Sequence, residues 1–144
     1  MSICEQIRAL IPEHAPRDAG LSSPLVLAYM GDTVYDLYVR TVLLHQSDAT
    51  AHGFHIKASR FVCAQAQAQA SERVLPLLSE QELSVFKRGR NAHMGTTAKN
   101  ATIAQYRAAT GLEALVGYLY LKNDDARLNE IMKAALNDIT LNTL

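Results

Sequence analysis

The stretch LAYMGDTVYDLYVR, Leu27 to Arg40, decides the fold. Leu27, Met30, Val34 and Leu37 recur at the three- and four-residue spacing of a helix, not the alternation of a strand. A glycine and an aspartate sit side by side in the middle of this apolar run. A mid-helix Gly costs roughly 1 kcal/mol relative to Ala, and an unpaired buried carboxylate costs several times more. Gly31 is therefore expected where another backbone must come close, and Asp32 either where something positive sits beside it or as a capped or solvent-facing group.

Asp32, Asp36 and Arg40 are four residues apart and share one face. Asp36 and Arg40 can pair, which leaves Asp32 facing a like charge one turn away. The same anomaly recurs in TGLEALVGYLYL, Thr110 to Leu121, where Glu113 is the only charge between Arg107 and Lys122 and is flanked by Gly111 and Gly117. Small residues let helices approach closely. Ala28 and Gly31 against Gly111, Ala114 and Gly117 make a tight crossing the expectation, with Asp32 and Glu113 near it. Two carboxylates brought together repel unless a cation lies between them. Hard oxygen ligands without His or Cys favour Mg²⁺ or Mn²⁺.

Working outward, the whole chain reads as all-α. A first helix is expected over about Ile3 to Leu10, stopping near Pro12. Ser22, Ser23 and Pro24 make an N-cap and a first-turn proline for a helix to His45. Asp48 or Thr50 opens the next, which runs through AQAQAQASERV to about Leu75, with Gly53 as its expected break. Ser79 and Glu82 form a capping box for a helix ending near Arg88 and Gly89. Arg90 to Asn100 reads as a polar loop, Thr102 to Leu121 as a helix, and Asp124 or Asp125 as the start of the last one.

At 144 residues, 49% hydrophobic and 19% charged, with no repeat or low-complexity block, the chain reads as one globular domain, residues 1–144. Cys4 and Cys63 lie in no metal-binding or disulfide pattern, so they read as reduced thiols. Glu5 and Arg8 interrupt the apolar run a signal peptide would need, and no stretch reaches the roughly 18 uncharged apolar residues of a membrane span. The expectation is a soluble, cytoplasmic protein. Its formal net charge of zero excludes a nonspecific polycation. Two zones are nonetheless free of acids and rich in bases. One holds His52, His55, Lys57 and Arg60; the other holds Lys87, Arg88, Arg90, Lys99 and Arg107.

LAYMGDTVYDLYV resembles the signature helix of ribonuclease III catalytic domains, and TGLEALVGYLYL resembles their second acidic helix. The intervening FKRGRNAHMGTTAKN is similar to the compact Mini-ribonuclease III subfamily, and the likeness spans about Leu25 to Leu121. The resemblance implies that Asp32 and Glu113 are the two principal metal-binding acids, acting as ligands and not as general bases. It also implies cleavage of double-stranded RNA to 5′-phosphate and 3′-hydroxyl ends. The larger family has acids where this chain has Ala28 and Thr110.

Duplex RNA is read by backbone shape and 2′-hydroxyls, so phosphate donors matter most. Lys87, Arg88, Arg90, Asn91, Lys99 and Asn100 are the expected donors, with Gly89 and Gly95 allowing close approach and Lys57 and Arg60 as a further basic face. His52 and His55 read as exposed or capping groups, and the Gln/Ala run from Ala64 to Ala70 as a packed helix face. The separate RNA-binding domain of larger relatives is not expected here, so binding is expected to rest on the catalytic domain. The resemblance further implies a homodimer built on the Leu25 to Leu44 helix, and a role in trimming 23S ribosomal RNA precursors. The alternative is a noncatalytic helical dimer that binds structured RNA, since a fold can outlive its chemistry.

Overall fold

Seven α-helices and two 3₁₀ turns make up the computed structural model, which describes residues 2–11, 19–92, 101–137 and 139. No strand occurs among the described residues. The helices are α1 (Ile3–Arg8), α2 (Pro24–Gln46), α3 (Ala51–Val62), α4 (Ala64–Val74), α5 (Glu80–Arg90), α6 (Ile103–Leu121) and α7 (Asp125–Ala135).

Helix α6 is the axis of the bundle. From Ala109 to Tyr120 every residue except Glu113 is buried, so α6 must be covered on all sides. Helices α2, α4, α5 and α7 supply that cover. Thr102 caps α6 through a box with Gln105. At its far end Asn123 takes a left-handed φ of 66°, which Asn tolerates, and Asp124 then caps α7. Leu112, Leu115 and Leu119 meet Leu27 and Val39 in the core, each fully buried and each contributing roughly 1.5–3 kcal/mol.

The expected helices are present, with shifted ends and one shifted break. Helix α1 stops at Arg8, not Leu10; its N-cap Ser2 makes a box with Glu5. Helix α2 has Pro24 in its first turn, but Ser23 makes no side-chain capping bond. Thr50, not Asp48, caps α3, with its hydroxyl accepting from the Gly53 amide at 3.0 Å. Gly53 lies inside the first turn of α3 and does not break it. The break falls at Cys63, which adopts φ −68°, ψ 158° as the shared cap of α3 and α4. The two halves pack on different partners, α3 on α2 and α4 on α6 and α7, so the chain turns between them.

Charged side chains fasten the helix ends. Arg127 of α7 donates to both Glu82 oxygens at 2.8 Å and to the Leu77 carbonyl at 2.7 Å. The Arg127 hydrogen bond holds the Glu82 carboxyl down to about 2, against the opposing effect of burial. Arg73 of α4 donates to the carbonyls of Ala134 and Ala135 at the end of α7. No helix among the described residues is long and apolar enough to cross a membrane.

Candidate active site at the α2–α6 crossing

Gly31 and Gly117 answer the puzzle of the apolar helix. A Cβ on Gly31 would fall on the Glu113 carbonyl, and one on Gly117 would fall on the Leu27 carbonyl. The backbones of α2 and α6 touch here, as no residue with a side chain would permit. Gly111 and Ala114 serve a different crossing from the one expected of them. Gly111 meets Phe86 of α5, and Ala114 receives Gly89 of α5, where a Cβ would lie 2.7 Å from the Ala114 methyl.

This contact sets Asp32 and Glu113 against each other. Asp32 is exposed at the surface of α2, and Glu113 is half-buried on α6, the one acid in the buried stretch. The Glu113 carboxyl is pushed up to about 8, first by burial, then by the charge of Asp32 and by a hydrogen bond with it. Among the described residues neither acid makes an ion pair, whereas Asp36 pairs with Arg40 at 3.0 Å as the spacing suggested. Two facing carboxylates with no protein cation paired to them among the described residues fit a divalent metal. Among the described residues no cluster of three or more His, Cys, Asp or Glu exists to enclose it. The donor set therefore suits a small hard ion that keeps much of its water.

Both acids open into a cavity of about 780 Å³ whose walls include Gln67, Tyr106, Thr110 and Tyr29. Ala28 and Thr110 also line it. Thr110 turns its hydroxyl to the Tyr106 carbonyl at 3.0 Å. Cys63, at the α3–α4 break, and Ala101 line the cavity as well.

The basic residues do not all gather here. Lys87, Arg88 and Asn91 line a separate groove of about 550 Å³ beside Pro24. Arg88 donates to the carbonyls of Gly20 at 3.2 Å and Ser22 at 3.1 Å, so its guanidinium holds the segment before α2. Arg90 donates to the Asn91 side chain at 3.3 Å. Lys57 sits 6.0 Å over the Phe54 ring, and Arg60 is exposed on α3 with His52 and His55. Lys99, Asn100 and Gly95 lie outside the described residues. Gln67 is the residue the sequence concealed: in the Gln/Ala run it looked like ordinary helix face, yet it is buried against the acids' cavity.

A ribonuclease III domain model matches residues 25–124. The chain is 46% identical over 126 residues to a Mini-ribonuclease 3 of Clostridium tetani, covering 87% of this chain and 83% of that one. It is also 46% identical to a Mini-ribonuclease 3 of Brevibacillus brevis, covering 85% of this chain and 92% of that one. The crystal structure of a Fusobacterium nucleatum protein superposes with a TM-score of 0.75 at 25% identity, covering 82% of this chain and 94% of that one. A family match across both acidic helices, with such identities over most of the chain, leads to one conclusion: the protein belongs to the ribonuclease III family of metal-dependent endoribonucleases.

Proposed function

We propose that the protein is a Mg²⁺-dependent endoribonuclease that cuts double-stranded RNA to 5′-phosphate and 3′-hydroxyl ends, and that it matures 23S ribosomal RNA precursors in the cytoplasm. The observation that carries the reading is the facing of Asp32 and Glu113 across the α2–α6 contact, with Glu113 titrating far above an ordinary carboxylate. Residues 1–144 act as a single catalytic domain.

Asp32 and Glu113 are the residues that would hold the metal, Mg²⁺ or, in its place, Mn²⁺. When bound, the ion supplies an activated water and positive charge for the phosphate oxygens. The chain contributes the rest. Burial of Glu113 concentrates the pair's demand for a cation, and the glycine contact keeps the helix backbones that carry the two carboxyls close together. Thr110 and Tyr106 shape the wall opposite α2. The duplex is held by its phosphates, with Lys87, Arg90, Asn91, Lys99 and Asn100 as donors and Lys57 and Arg60 as a second basic face. Arg88 joins them only so far as its bonds to Gly20 and Ser22 leave it free. One site cuts one strand, so a homodimer sets two sites across the duplex.

The test is cleavage of a long RNA duplex by purified protein in Mg²⁺, with EDTA as control and Asp32→Asn and Glu113→Gln as variants. Wild-type protein cuts, while EDTA and either substitution abolish cutting and leave the fold intact. Normal cleavage by either variant removes that residue from the metal site. No cleavage of any duplex by wild type in Mg²⁺ or Mn²⁺ favours the noncatalytic RNA-binding dimer.

A further inference from the structure

Gln67 on α4 is 3% exposed and lines the cavity of Asp32 and Glu113. Among the described residues its side-chain amide has no hydrogen-bond partner, although its backbone amide bonds Cys63. No fully enclosed side-chain nitrogen or oxygen lacks a partner among the described residues, so the free amide of Gln67 opens into the cavity itself. The amide therefore keeps contact with the water of the cavity, while the flanking Gln65 and Gln69 are exposed. The helix break at Cys63 is what turns Gln67 inward, since it redirects α4 onto α6.

We propose that the Gln67 amide is a positioning group for the divalent cation, ordering the water shell of an ion held between Asp32 and Glu113. The inference rests on the metal site proposed above. A Gln offers a carbonyl acceptor and two N–H donors in one planar group. Its acceptor suits metal-bound waters, and its donors suit the carboxylates that line the same cavity. With two acids at the crossing among the described residues, an ion held there would keep several waters, and those waters would need partners from the protein. Gln67 is a buried neutral group, without a side-chain partner among the described residues, placed to supply one.

The test is calorimetric titration of RNA-free protein with MnCl₂, comparing wild type with Asp32→Asn, Gln67→Met and Gln67→Glu, alongside thermal melts in EDTA. Gln67→Met replaces the amide at nearly constant volume and breaks no hydrogen bond among the described residues, so it melts in EDTA near the wild-type temperature. Its Mn²⁺ affinity falls by about tenfold, the size of effect typical for outer-shell ligands. Gln67→Glu binds Mn²⁺ at least as tightly as wild type, because the new carboxylate faces the same ion. A folded Gln67→Met that binds Mn²⁺ as wild type does overturns the proposal. Should Gln67→Met fail to fold, weaker binding by Gln67→Glu overturns it instead. Wild type that takes up no Mn²⁺, or Asp32→Asn that binds normally, overturns the metal site itself and the inference with it.

Discussion

Glu113 is a carboxyl that folding makes reluctant to ionise. Its ordinary value of 4.5 rises to about 8 through burial and the nearness of Asp32. Between those values the folded protein holds a proton that the unfolded chain releases. The contribution to stability is full below about pH 4.5 and is lost as pH rises through about 8. In EDTA, urea denaturation is expected to show stability falling across this window, and Glu113→Gln should flatten the fall. A divalent cation should reverse it by replacing the proton. An unchanged slope in Glu113→Gln places the titration on another group. Both acids draw attention in the sequence because Glu113 is the only charge between Arg107 and Lys122 and Asp32 sits beside Gly31 in an apolar run. Gln67 does not, because a glutamine beside alanines is unremarkable until its neighbours in space are known.

At the scale of elements, the contact of α2 with α6 depends on two hydrogen atoms where side chains would be. Gly31→Ala forces a methyl onto the Glu113 carbonyl, and neither backbone can yield without separating the helices. The expected loss is about 3 kcal/mol or more in urea denaturation, the upper range of overpacking. Gly53→Ala is the control. Its new methyl would meet only Ala49 at 3.2 Å and the Thr50 hydroxyl at 3.3 Å, and helix propensity favours Ala, so stability should change by under about 1 kcal/mol. Equal effects at the two sites would refute the crossing as the reason for Gly31. Helix ends announced themselves through capping residues: Ser79 with Glu82 made the expected box, and Asp124 took up its cap. The break at Cys63 had no such marker, having neither Gly nor Pro to signal it.

At the scale of the molecule, two surfaces carry the proposed assembly. Val26, Leu37 and Leu44 lie exposed along α2, away from its buried stripe, at 38%, 54% and 62%. If this stripe joins two copies, Leu37→Arg should convert a sedimenting dimer to monomer and lower duplex cleavage in parallel. Cleavage retained by a monomer would defeat the two-site arrangement. The basic end of α5 separates into two roles. Lys87 is exposed, so Lys87→Ala should weaken duplex binding and reduce the slope of log affinity against log salt by roughly one unit or less. Arg88 holds Gly20 and Ser22, so Arg88→Ala should lower the melting temperature more than it changes that slope. Binding measured in Ca²⁺ at several salt concentrations, with melts of each variant, separates the two.

Local chemistry alone determined the all-helical fold, the caps that bound most helices and the two acids. Those features arise from neighbours three or four residues apart, where periodicity, side-chain capping and an isolated charge leave a mark in one dimension. Tertiary packing decided the rest. Gly31 and Gly117 became a pair, Gly111 and Ala114 passed to α5, Arg88 was drawn to the backbone before α2, and Gln67 was turned to the acids, because each of these depends on which distant helix comes within a few ångströms.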